Sequence, residues 1–102
     1  MTPEGKVKDQ LKKVFKELGI WYYMPPGGAA FGRVGVPDFL LCVDGEFVAI
    51  ETKATGGKTT KLQELEMQEI RESGGAAWVV TPDNIRDTVE LLEEYSTGHI
   101  PL

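Results

Sequence analysis

Gly35-Val36-Pro37-Asp38, Phe39-Leu40-Leu41-Cys42-Val43, Asp44-Gly45 and Glu46-Phe47-Val48-Ala49-Ile50-Glu51-Thr52-Lys53 form the stretch whose reading decides the fold. Two apolar runs flank Asp-Gly, a pair that accepts the two positive φ angles of a type I′ turn, so the segment predicts a β-hairpin. With a two-residue loop Val43 faces Glu46, every facing pair of residue numbers adds to 89, and Asp38 falls opposite Glu51. A three-residue loop with a bulge would shift that register by one. Facing residues have Cβ atoms about 5 Å apart, and like charges placed so weaken the pairing. Lys53 lies two residues past Glu51, so strand alternation sends its amine to the same face. Two acids and a lysine at the open end of a hairpin stabilise a sheet poorly, but they suit a divalent metal beside a water.

The chain outside this stretch sets limits. Its 102 residues make one small domain, 1–102, large enough for a modest core without cross-links. The single Cys42 excludes an internal disulfide and a cysteine-based zinc site, and its place in an apolar strand reads as a reduced thiol. Met1-Thr2-Pro3-Glu4 leads directly into a charged amphipathic segment, without a signal-like apolar region or an apolar run near ~18 residues. A soluble, intracellular, cytoplasmic protein is expected, with no membrane association.

A net charge of −5 argues at first against a nucleic-acid partner. The distribution argues otherwise. Residues 1–63 hold nine Lys/Arg and seven Asp/Glu, whereas residues 64–102 hold two and nine. Three of the first seven acids are Glu4, Asp38 and Glu51, so without them the first part carries a net +5. The acidity belongs to the later helices. Simple solvation of these charged faces is the competing explanation.

Thr2-Pro3 opens a helix, with a hydroxyl at the N-cap and proline in the first turn. Val7, Leu11, Val14, Phe15 and Leu18 form its apolar stripe, and Gly19 ends it. Glu4 prolongs the inward stripe, although an acid there also suits the helix dipole. Lys6, Lys8, Lys12, Lys13 and Lys16 are assigned to the solvent face. Ile20-Trp21-Tyr22-Tyr23 reads as a strand. The loop from Pro25 to Gly35, rich in Gly and Pro, is too long for a simple connector. Its Arg33 is either a phosphate contact or merely solvated.

Ala54-Thr55-Gly56-Gly57-Lys58 is a second break and does not have the spacing of a P-loop. Thr59 or Thr60 then caps a helix running to about Ser73. Gln63, Met67 and Ile70 share one of its faces, and a glutamine on that stripe needs a partner. Ala76 to Val80 reads as a short buried strand. Pro82-Asp83-Asn84 opens a last helix with Ile85, Val89 and Leu92 inward and Leu91 and Tyr95 widening the stripe. His99 lies in an irregular tail with no partner nearby in sequence. The order α-β-β-β-α-β-α predicts an α/β domain.

Carboxylates are the hard donors that Mg²⁺ or Mn²⁺ prefers, and a few of them with waters suit magnesium. A metal so held stabilises charge on a phosphoryl oxygen and lowers the pKa of a bound water, which is what phosphodiester hydrolysis needs. A lysine there can hydrogen-bond the water and offset developing charge. A carboxylate pair also fits glycoside hydrolysis, but that chemistry needs one protonated acid, whereas Lys53 favours ionised ones.

Glu4 in the first helix, Gly35-Val36-Pro37-Asp38, Glu51-Thr52-Lys53 and the downstream Gln63 together resemble the VRR-NUC (virus-type replication-repair nuclease) domain of the PD-(D/E)XK nuclease superfamily. The likeness covers the chain to about Val80 and fades beyond Pro82. It implies a restriction-endonuclease-like αβββαβ core, with a central mixed β-sheet flanked by helices and an added C-terminal helix. It also implies Mg²⁺- or Mn²⁺-dependent cleavage of branched or otherwise structured DNA, with no organic cofactor. By this resemblance Asp38, Glu51 and the Thr52 carbonyl ligate the metal, with Glu4 assisting directly or through water. Lys53 positions the attacking water and Gln63 supports the site. Arg33, Lys58, Lys61, Lys12 and Lys13 are the candidate DNA contacts. So short a chain resembles the stand-alone phage form, which implies a homodimer acting on Holliday-type junctions. The alternatives are an inactive DNA-binding module, a less selective DNA nickase, and a protein-interaction domain using the acidic helices.

Overall fold

Asp44 and Gly45 adopt φ values of 50° and 86°, so the two-residue turn forms as its chemistry requires. A computed structural model describes residues 1–27 and 32–97 of the chain. The turn joins β2 (Phe39–Val43) to β3 (Glu46–Thr52), and the ladder runs from Val43–Glu46 to Phe39–Ile50. The expected register is therefore present along the ladder, which ends at Phe39–Ile50 with Asp38 in a bend just before it.

A short β1 (Trp21–Tyr23) pairs antiparallel with β2, and β4 (Ala76–Val80) pairs parallel with β3. The result is a mixed four-stranded sheet in the order β1-β2-β3-β4. Alternation splits the hairpin between two cores. Phe39, Leu41, Val43, Val48 and Ile50 pack with Val7, Leu11 and Phe15 of α1 (Pro3–Leu18) and with Ile85 and Leu92 of α3 (Ile85–Ser96). On the other face Ala49 and Ala77 meet Met67 of α2 (Lys61–Glu72), with Leu40, Ile70 and Val79 at the margin. Strands central to such a sandwich are apolar on both faces, which is why β3 reads as a nearly continuous apolar run.

The helix ends follow their caps. The Thr2 hydroxyl accepts from the Gly5 amide, and Gly19 closes α1 at φ 69°. Thr60, rather than Thr59, caps α2. Asn84 precedes α3 without capping it, because its side chain is engaged by the Thr81 amide and the Val79 carbonyl.

Three expectations change. Leu91 does not widen the buried stripe of α3; it is exposed, and the buried Thr88 fills the inward turn instead. Ile20 lies outside β1 but is buried in the core. Lys8 is not on the solvent face of α1, as described below. Cys42 is exposed on β2. His99 and the tail from residue 98 lie outside the described residues, as do loop residues 28–31. Among the described residues no helix is long and apolar enough to cross a membrane.

Candidate active site at the open end of the hairpin

Three elements meet where β2 begins and β3 ends. Asp38 sits in a bend before β2, Glu51 and Thr52 close β3 with Lys53 just beyond, and Glu4 and Lys8 come from the first turns of α1. Gln63 arrives from the first turn of α2 on the opposite side of the sheet.

Two opposed carboxylates repel, and each is turned toward its own donors. Asp38 Oδ2 accepts from the Thr52 amide at 2.9 Å and from the Thr52 hydroxyl at 2.7 Å. The same hydroxyl lies 3.4 Å from Glu4 Oε1. Glu51 Oε2 accepts from Gln63 Nε2 at 3.1 Å and lies 3.5 Å from Lys53 Nζ. Neither Asp38 Oδ1 nor Glu51 Oε1 accepts a hydrogen bond among the described residues, so each carboxylate is pinned by one oxygen, while the other faces only the Lys8 ammonium at 3.7 Å in Asp38 and has no polar partner in Glu51.

Glu51 is only 3% exposed. Burial, with the negative charge of Asp38 added, raises its pKa from 4.5 to about 7, against the lowering influence of Lys53. An ionised Glu51 therefore needs more positive charge than the protein itself supplies.

That need bears on a metal. Among the described residues no group of three or more His, Cys, Asp or Glu side chains forms a ready ligand set. Glu4 is set apart from the other two acids by the Thr52 hydroxyl and by Lys8, whose Nζ is 3.8 Å from Glu4 Oε1 and 3.7 Å from Asp38 Oδ1. Two carboxylates, each hydrogen-bonded through one oxygen only, still fit a magnesium-like ion, which characteristically keeps several waters and uses one or two carboxylates. The donor chemistry fits a hard divalent cation.

Gly35 explains why this end of the sheet meets α2 so closely. At φ 85° its backbone runs against Leu62, and a Cβ there would lie 2.8 Å from the Leu62 carbonyl carbon and oxygen and 3.0 Å from the Gln63 nitrogen. Only glycine permits both that conformation and that approach. Pro37 beside it is fully buried, so the segment before Asp38 is fixed from both sides.

With the architecture and this arrangement in view, comparison with solved structures is decisive. A structure described as a VRR-NUC domain superposes with a TM-score of 0.75 at 27% identity, covering 88% of this chain and 97% of its own. A second, described as a VRR-NUC domain protein, gives 0.71 at 17% identity, covering 94% and 89%. The chain folds as a VRR-NUC domain. No protein-family model and no curated protein matches the sequence.

Within this fold the sequence-derived candidates divide into two groups. Glu4, Asp38, Glu51, Thr52, Lys53 and Gln63 come together. Arg33 does not join them: its guanidinium lies 2.9 Å from Glu66 and 3.0 Å from Glu69 on α2. Lys13, Lys58 and Lys61 are exposed and Lys12 is half-buried, and none of the four forms an ion pair among the described residues. Lys8 is the site residue that sequence reading missed. Its signal was the i, i+4 spacing from Glu4, which places the two on one helix face.

Proposed function

We propose that this VRR-NUC domain is a metal-dependent endonuclease of the PD-(D/E)XK type, hydrolysing phosphodiester bonds in branched DNA as a homodimer. The observation that carries the reading is the pair Asp38 and Glu51, each hydrogen-bonded through one oxygen only, with the Lys53 ammonium 3.5 Å from Glu51. The nuclease descriptions of the two similar structures support the same reading.

Asp38 and Glu51 would hold Mg²⁺ or Mn²⁺, with the Thr52 carbonyl as a further ligand. The bound ion supplies charge neutralisation at the phosphoryl oxygen and a lowered pKa for water. The protein supplies orientation and charge. Thr52, through two donors to one oxygen, fixes the Asp38 carboxylate plane. Gln63 does the same for Glu51 from the other side. Lys53, half-buried beside Glu51, directs an N–H toward the attacking water and offsets negative charge that builds on the phosphate oxygens. The exposed lysines Lys58 and Lys61 flank this end of the sheet and suit contact with the DNA backbone, as do Lys12 and Lys13 along α1. Two symmetric cuts in a four-way junction need two sites, and each chain supplies one, which is the basis for the homodimer.

The test is cleavage of duplex, flap, splayed and four-way DNA with Mg²⁺ and Mn²⁺, using the full chain and the variants Glu51→Ala and Lys53→Ala. Paired nicks on the junction, abolished by either substitution and by chelator, are expected. Full activity in either folded variant overturns the assignment. Salt-sensitive binding without cleavage identifies a DNA-binding module instead.

A further inference from the structure

The ammonium of Lys8 lies between two acids that sequence reading assigned to a metal. Its Nζ is 3.8 Å from Glu4 Oε1 and 3.7 Å from Asp38 Oδ1. The Asp38 oxygen it faces is the one that accepts no hydrogen bond from Thr52. Val7 and Leu11 of the same helix are buried in the core, which fixes α1, and with it the Lys8 backbone, against the sheet. The Lys8 side chain retains 30% of its exposure.

We propose that Lys8 is the resident cation on the Glu4–Asp38 side of the site, so that the site takes one divalent ion, on the Asp38–Glu51 side, rather than two. The inference rests on the metal-dependent reading above and deepens it. Charge decides the number of ions. Ionised Glu4, Asp38 and Glu51 carry three negative charges, and Lys8 and Lys53 return two positive ones. The cluster is left at −1, and one divalent ion brings it to +1, matched to a single phosphodiester. A second divalent ion would bring +3 against that one negative charge and would meet the Lys8 ammonium at close range. Glu4 accordingly serves Lys8 and the Thr52 hydroxyl rather than a metal. Lys8 is a positioning residue that sets the ion count and holds α1 against the end of the hairpin.

Mn²⁺ titration of the full chain, counted by the loss of the free-ion electron paramagnetic resonance signal, tests this in wild type, Lys8→Gln, Lys8→Arg and Lys12→Gln. Wild type, Lys8→Arg and Lys12→Gln should bind one ion per chain. Lys8→Gln should bind a second ion, or bind the first about tenfold more tightly, because a competing positive charge has gone. Thermal unfolding in chelator gives an independent readout: Lys8→Gln should melt lower than wild type, Lys12→Gln should not, and saturating Mn²⁺ should close the gap. Two ions in wild type, or unchanged stoichiometry and affinity in Lys8→Gln, overturns the inference while the nuclease reading stands. Absence of binding in every variant overturns both, and cleavage assays without metal then show which activity, if any, remains.

Discussion

Gln63 reaches Glu51 with one end of its amide while the other end completes a helix cap. Its Nε2 donates to Glu51 Oε2 at 3.1 Å, and its Oε1 accepts from the Thr60 amide at 2.9 Å. The Thr60 hydroxyl in turn accepts from the Gln63 amide, closing a capping box. One side chain therefore couples the start of α2 to the carboxylate at the end of β3.

The two roles separate by substitution. Gln63→Ala loses both and should cost about 1 kcal/mol of stability, the usual size of a lost cap, together with most of the cleavage activity. Gln63→Glu keeps an acceptor for the Thr60 amide but sets a negative charge against Glu51. It should melt closer to wild type than Gln63→Ala does, yet lose most of the cleavage activity, because the donor to Glu51 is gone. Equal activity in all three proteins would remove Gln63 from the site.

Glu51 makes metal-free stability depend on pH. Its folded pKa of about 7 exceeds the ordinary 4.5, so between those values the folded protein holds a proton that the unfolded chain has lost. Stability from this group is fully present below about pH 4.5 and is lost as pH rises through about 7, by roughly 3 kcal/mol at most. Chemical denaturation of metal-free protein should thus show its midpoint falling between pH 5 and 8. Glu51→Gln should flatten that fall, and Mn²⁺ should reduce it in wild type but not in the variant. A midpoint that rises across this range contradicts the assignment.

Thr52 and Asp38 are linked by two hydrogen bonds to a single oxygen. Thr52→Val retains shape and the amide donor but removes the hydroxyl, which also faces Glu4. A loss of about 2 kcal/mol is expected from the broken bond to a charged acceptor. Mn²⁺ affinity should fall with it, because Asp38 is freed to rotate. Thr52→Ser should restore both, and failure of serine to do so would show that the methyl group, not the hydroxyl, matters here.

Gly35 tests the join between the hairpin and α2. Gly35→Ala demands a positive φ and places a methyl 2.8 Å from the Leu62 carbonyl. The loss should exceed 1 kcal/mol, toward the ~1–3 kcal/mol typical of backbone strain, since both contacts are with backbone that cannot rotate away. Gly45→Ala also sits at positive φ but meets nothing within 4 Å. It should cost less in stability and leave the Glu51–Gln63 contact unaffected. Similar losses for both would show that conformation alone, without the close approach, governs Gly35.

The sequence by itself determined the hairpin and what stands at its open end. Asp44-Gly45 admits few turns other than the two-residue one, and alternation then carries Asp38, Glu51 and Lys53 to one end without knowledge of the rest of the chain. Thr2, Gly19 and Thr60 mark helix ends for the same local reasons. The tertiary structure decided how those charges are answered. Whether Arg33 meets phosphate or acid depended on where the loop crosses α2, and it meets Glu66 and Glu69. Whether Lys8 belongs to solvent or to the site depended on how α1 lies across the sheet, because a helix face acquires its meaning only from what packs against it. The burial of Glu51, and the raised pKa that follows from it, likewise arises only in the folded chain, where α2 brings Gln63 against the end of β3.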